Sequence, residues 1–248
     1  MKLIEYIKNE HKKIMETPKN ERLSYIWEYY KWYIIVFLLV VVLLVQGILS
    51  AQARKETVFS GFMLNCKILL EEEEFLQGFY DYAGIDSAKQ EAAIYNDMIL
   101  TDRNMKSDIT AFQRIMAGVA VKDTDFIVGL PEPFRVCAYS SSSFLMDLRK
   151  FLDADTLATY KDRLYYIDGA VLERLKAPVG ENAEVILEYP DPHKPELMDD
   201  PIPVGIDVSD RESIQNAYYL PDSTIYIGVV FNTTRPELTQ AFIDYILK

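Results

Sequence analysis

Between residues 33 and 49 only Gln46 and Gly47 are not apolar, and every position from Ile34 to Val45 is Ile, Val, Leu or Phe. Elsewhere the apolar positions recur with a period of two or of three to four, as they do in strands and helices of a folded domain. Counted from Trp32 to Ala51, the run makes about 30 Å of helix, the thickness of a bilayer's hydrocarbon core. Tyr25, Trp27, Tyr29, Tyr30, Trp32 and Tyr33 crowd its amino-terminal flank, where ring bodies sit in the acyl boundary and polar tips among headgroups. The pattern predicts a segment 1–31, a transmembrane helix at 32–51, a linker 52–56 and an α/β domain at 57–248. Within the first segment, Leu3, Ile7 and Ile14 share a helical face that could lie on the inner leaflet or be solvated. "Ala51-Gln52-Ala53" resembles a signal-peptidase site, but the residues before the run are too many for a secretory n-region, which favours an uncleaved signal anchor. Lys13, Lys19, Arg22 and Lys31 against Arg54, Lys55 and Lys67 give a weak charge bias toward a cytoplasmic N-terminus and an extracellular C-terminal domain.

Past residue 56, strand and helix signals alternate. "TVFSGFMLNC" (57–66) places Val58, Phe62, Leu64 and Cys66 on one face of a strand, and "EEEEFLQGFYDYAGI" follows with acidic residues suited to a helix N-terminus. "EAAIYNDMIL" (91–100) reads as a second strand. In "SDITAFQRIMAGVA" a Ser107/Asp108 cap precedes an apolar stripe of Ile109, Phe112, Met116 and Val119. "DFIVGL" (125–130) is a short buried strand. "TIYIGVVFN" (224–232) has the continuous apolar character of a parallel, interior strand, and Thr234-Arg235-Pro236-Glu237 matches a capping box ahead of the stripe Leu238, Ala241, Phe242, Tyr245 and Ile246. The expected fold is therefore α/β, with a mostly parallel sheet carrying helices on both faces. The proline-rich stretch 189–205 must cross between elements as an extended segment or loop.

Composition narrows the function classes. The net charge of −12 divides unevenly: residues 1–31 carry seven Lys/Arg and five Asp/Glu, and the residues after 50 carry 19 and 33. A domain at −14 repels phosphate backbones, so nucleic acid is not an expected partner. Cys66 and Cys137 have no ligand spacing, so zinc is not expected; a Cys66–Cys137 bridge and two buried thiols both stay open.

The segments "DFIVGLPEPF", "FLMDLRKFLDADTLATYKDRLYYIDG" and "IYIGVVFNTTRPELTQAFIDYIL" resemble the extracellular solute-binding proteins of ABC importers, a type 2 periplasmic-binding fold. The matching residues are Asp125 to Gly129, Met146-Asp147-Leu148 and Tyr226 to Leu247. The opening "WEYYKWY" is similar to that of uncharacterised single-pass membrane proteins of Gram-positive bacteria. The resemblance implies a reduced, membrane-anchored relative of the binding-protein fold, without the lipid-modified cysteine that full-length members carry.

Motifs for chemistry are sparse. Phosphate loops, GxSxG and HExxH are absent, and "DADTLATYKD" lacks the glycine that an EF-hand needs at its sixth position. His193 is the one histidine in the outer domain and is expected to be an exposed loop residue. No cofactor, metal or enzymatic activity is expected. Strand ends followed by helix N-termini are where open α/β sheets bind ligands, which selects Asn65, Glu132, Asn232 and Thr233, with Tyr139 and Ser140 to Ser143 on the next loop. The expected role is a membrane-anchored interaction or scaffold module with an envelope protein as partner; a receptor capturing a small solute is the alternative.

Overall fold

A computed structural model describes residues 12–16, 18–19, 21–52, 54–66, 72–100, 105–140, 143–176, 188–218 and 223–248. Leu3, Ile7, Ser141, Ser142 and the Ser107 and Asp108 side chains lie outside what it describes. The chain divides into two compact units, Met1–Arg54 and Lys55–Lys248. The first contains helix α1 (Arg22–Gln52). Its stretch Ile26–Leu49 reaches a mean hydropathy of 2.8 over an 18-residue window, is not buried against the rest of the chain, and is long and apolar enough to cross a membrane.

The second unit is built from β1 (Glu56–Leu64), α2 (Glu72–Ala83), β2 (Gln90–Tyr95), α3 (Met105–Ala120), β3 (Phe126–Gly129), α4 (Pro131–Ala138), α5 (Ala154–Thr159), β4 (Leu164–Asp168), α6 (Gly169–Lys176), β5 (Pro201–Asp207), α7 (Glu212–Ala217), β6 (Tyr226–Val229) and α8 (Pro236–Leu247). Six strands form one sheet in the order β2-β1-β3-β6-β5-β4. β1 runs parallel to β2 and β3, whereas β6 is antiparallel to both β3 and β5, and β4 is antiparallel to β5. The sheet is thus mixed, and the expectation of a mostly parallel one is corrected. The physical reason is that a continuous apolar run reports burial on both faces, which an interior strand has whatever its direction. β6 is interior, as its pattern predicts, with all four residues buried. Its direction is not written in its composition.

Helices cover both faces. On one side Phe59, Met63, Val128, Ile206, Ile227 and Val229 pack against α2, α7 and α8; on the other Phe62, Leu64, Ile127, Tyr165, Val204 and Tyr226 pack against α3, α4 and α6. The first core is centred on Phe59, Phe79, Phe126 and Phe242, whose ring centroids lie 4.4 to 5.2 Å apart. Such aromatic pairs each add about 0.5–1.5 kcal/mol beyond the area they bury. Gly61 makes this cluster possible, since a Cβ there would overlap the Phe126 ring.

Two local details depart from the periodic reading. Asn65 takes a left-handed conformation (φ 61°), which breaks the alternation at the end of β1. Cys66 therefore joins the core of Phe59 and Met63 instead of that of Phe62 and Leu64. On α3 the inward stripe is Phe112, Ile115 and Val119, so Ile109 and Met116 face outward instead of into the core. Cys66 and Cys137 are buried thiols in different cores, and no disulfide joins them. The strand expected at 91–100 stops at Tyr95.

Both outer strands have their outward backbone partly occupied. On β2 the N–H of Gln90 donates to Asp86 O and that of Ala92 to the Tyr80 hydroxyl (2.8 Å). On β4 the N–H of Tyr166 donates to Pro192 O (2.9 Å), so the proline-rich crossing straps that strand as a loop with one short helical turn at Pro195–Leu197, and its last residues, expected as part of the crossing, form β5.

Gly61→Ala is expected to lower stability by about 1–3 kcal/mol, because overpacking displaces a ring stacked between Phe59 and Phe242. A urea melt measures it; an unchanged midpoint would mean that the Phe126 ring moves aside freely.

Candidate functional site

The mixed topology decides where the strand-end residues go. β1, β2, β3 and β5 finish at one edge of the sheet, here the carboxyl edge; β4 and β6 finish at the opposite, amino edge. Asn65 and Glu132 follow β1 and β3 and lie at the carboxyl edge. Asn232 and Thr233 follow the reversed β6 and lie at the amino edge, and Tyr139, at the end of α4, reaches the end of β4 there. The five candidates do not converge on one cleft.

Most of them hold the fold together. Asn65 accepts the Leu100 N–H at its side-chain oxygen (2.9 Å), and its own N–H donates to Met98 O. Tyr139 accepts the Asp168 N–H (2.8 Å) and packs on Tyr189 at 4.7 Å, with the Arg135 guanidinium over the other ring. Asn232 donates to Val119 O at the end of α3 (2.7 Å). Glu132 lies exposed in the first turn of α4. The capping box expected around Thr234 does not form: the N-cap residue is Arg235, which makes no side-chain cap, and its N–H donates to the Thr233 hydroxyl instead.

Thr233 belongs to a polar cluster that sequence reasoning missed. Asp125, fully buried just before β3, accepts from the Thr233 hydroxyl (2.6 Å), the Ser60 N–H (2.9 Å) and the Arg235 guanidinium (3.0 Å). The same guanidinium reaches Asp123 at 2.7 Å, and the Ser60 hydroxyl donates to Asp123 O. Burial pushes the Asp125 carboxyl above its ordinary range, and the hydrogen bonds from Thr233 and Ser60 and the charge of Arg235 oppose that rise. One signal was available: an arginine beside a helix N-terminus is placed against the dipole unless a carboxylate holds it.

A second cluster occupies the carboxyl edge. His193 comes from the strap, and its Nε2 lies 2.8 Å from the Tyr226 hydroxyl. Tyr165 meets Tyr226 edge-on at 4.7 Å, and Phe134 packs against both. His193 is exposed, as expected, yet its ring is bound to the sheet. Burial, followed by the charges of Asp207 and Asp191, raises the Tyr226 phenol to about 12, so at neutral pH it stays protonated and is not a base. Burial likewise pushes the Cys137 thiol up to about 12, the opposite of what a nucleophile requires. Asp168 is pushed up by burial, but the N–H groups of Ala170, Asp199 and Asp200 hold it below the usual carboxylate range. It anchors the start of α6 and the far end of the strap. Among the described residues, no group of three or more His, Cys, Asp or Glu could hold a metal ion.

No family model matches the sequence, and no curated protein does either. Among solved structures, the chain described as "Corynebacterium glutamicum OxyR C206 mutant" is similar over 93% of this chain and 76% of that one, at 12% identity and a TM-score of 0.25. A likeness that slight carries no weight for fold or function.

Arg235→Met leaves the Asp125 carboxylate buried without its counter-charge and is expected to cost about 3 kcal/mol or more at neutral pH. Because the folded-state pKa of Asp125 already lies above its unfolded value, stability falls as pH rises through that interval and is level above it. Loss of Arg235 raises the folded value further, so the deficit should be small near pH 4 and grow toward pH 7. Chemical denaturation at both pH values tests this; a deficit independent of pH would assign the loss to packing of the arginine stem.

Proposed function

We propose that this chain is a membrane-anchored, extracytoplasmic interaction or scaffold module, non-enzymatic, with a membrane or envelope protein as its partner. The observation that carries the reading is the helix over Ile26–Leu49, without a charged residue after Lys31 and left uncovered by the protein's own fold. Twelve side chains from Ile34 to Val45 favour bilayer insertion by roughly 4–7 kcal/mol, and a water-exposed helix of this composition would aggregate instead. Trp27, Tyr29, Trp32 and Tyr33 stand exposed on its amino-terminal turns, the position of an interfacial belt.

For the outer unit, the non-enzymatic reading is supported by chemistry. A phenol and a thiol raised to about 12 are unsuited to general-base or nucleophilic work, and the polar cluster around Asp125 is satisfied by structural partners. A scaffold role is favoured over solute capture because the strand-end residues divide between two edges of the sheet instead of converging on one.

Mass spectrometry of the protein from membranes should find the intact N-terminal segment, and alkaline extraction should leave the chain in the pellet. A mature N-terminus at Arg54 would overturn the anchor. In a thermal-shift screen of the outer unit with sugars, amino acids and short peptides, no ligand is expected to shift Tm by more than a degree or two; a saturable, concentration-dependent rise would restore the receptor.

A further inference from the structure

Helix α1 carries one side chain that a simple anchor does not require. From Ile34 to Leu49 every residue but Gln46 and Gly47 is Ile, Val, Leu or Phe, so Gln46 holds the only side-chain amide there, with two N–H donors and a carbonyl acceptor. It is exposed, and among the described residues no hydrogen bond reaches its amide. A Cβ built at the neighbouring Gly47 would meet nothing within 4 Å. In a span from Trp32 to Ala51, Gln46 is four residues past Val42, about 7 Å beyond the bilayer centre and about 8 Å short of the nearer boundary. Cα–Cβ bonds tilt toward a helix's N-terminus, so this side chain leans toward the middle of the hydrocarbon and away from the nearer headgroups. Apolar periodicity picks no face of α1, which is apolar all round from Ile34 to Val45; Gln46 picks one. With Leu39 and Trp32, each seven residues apart, it forms an exposed line along one side of the helix.

We infer that α1 pairs in the membrane with α1 of a second copy of this chain along the line Trp32, Leu39 and Gln46, the two Gln46 amides exchanging hydrogen bonds across a two-fold axis. The inference rests on the membrane reading above. Copies inserted in one direction bring Gln46 to the same depth, and a carboxamide both donates and accepts, so it satisfies its own image. A helix of another protein would need a polar group at that depth; a copy has one by identity. Lipid tails give helices no hydrophobic reason to associate, so the interhelical hydrogen bonds and the close approach that Gly47 permits beside the line supply the attraction. Seven-residue spacing is that of helices wound left-handed about each other, in which a single polar position on the seam fixes the register. Glu28 lies on the same side a turn before Trp32, at headgroup level, where water and salt screen the repulsion between copies.

Energy transfer between full-length copies in phosphatidylcholine vesicles tests this, at about 0.15 M salt to screen the acidic outer units from one another. Cys66 and Cys137 are buried, so donor and acceptor dyes go on Leu197→Cys, 67% exposed in the outer unit. At fixed protein, abolishing transfer should take about tenfold more lipid than it does when both copies also carry Gln46→Leu, and Gln46→Asn should restore most of the difference. Oxidation should join Leu39→Cys chains several-fold faster than Val41→Cys chains, whose thiol stands on the opposite side of α1. Wild-type transfer that falls with dilution as the Gln46→Leu signal does would mean that copies do not pair, and the inference fails while the anchor stands. Transfer that persists equally in Gln46→Leu would assign pairing to something other than the amide, and equal cross-linking at 39 and 41 would mean random collision; either overturns the seam. Alkaline extraction of the same vesicles should leave every variant in the pellet. Release of the wild type would sink the membrane reading and this inference with it.

Discussion

The buried carboxylate of Asp125 joins the two halves of the outer unit from inside, beside the aromatic core that they share. Ser60 belongs to the parallel half, and Thr233 and Arg235 belong to the turn that carries the chain out of the antiparallel half and into α8. One carboxylate thus ties the middle of β1 to the start of β3 and to the turn after β6. A charge without water must have partners on all sides, and three elements are constrained because they supply them. The aromatic core depends on the result: Phe126 follows Asp125 directly, and Phe242 sits two turns into the helix that Arg235 starts, so the lock places both rings of the closest pair.

Much of this fold was legible in the sequence. Strands β1, β3 and β6 and helices α3 and α8 stand where hydrophobic periodicity puts them, because burial on one or two faces leaves a period that local sequence cannot hide. Strand direction left no such trace. Val229 pairs with Phe126 antiparallel, but its burial would be the same in a parallel pairing. The α3 stripe was misplaced for a similar reason. Ile109 and Met116 fit the helical period as well as Ile115 does, and only the tertiary neighbours distinguish an apolar residue that is covered from one that is not.

The candidate site was less legible. Residues past strand ends were chosen on a rule that assumes all strands finish at one edge, and one reversed strand sends Asn232 and Thr233 to the other. Asn65 and Tyr139 were singled out as ligand-binding candidates, and in the fold they serve the backbone: Asn65 provides a left-handed turn and an acceptor for Leu100, and Tyr139 provides an acceptor for Asp168. Polar side chains at strand ends look the same in sequence whether they await a ligand or satisfy an N–H three elements away.

The Tyr80 hydroxyl on β2 and the proline strap on β4 bear on how such a chain behaves in a crowd. Molecules confined to a surface meet one another far more often than the same number in free solution, and an open strand edge offers a ladder to the first unfolded or identical neighbour that arrives. Here each edge already donates inward, to a phenol on one side and to a carbonyl of a segment whose prolines cannot extend a ladder on the other. Wherever the protein is concentrated, its sheets should stay separate, and any assembly it joins must be built through side chains rather than by strand exchange.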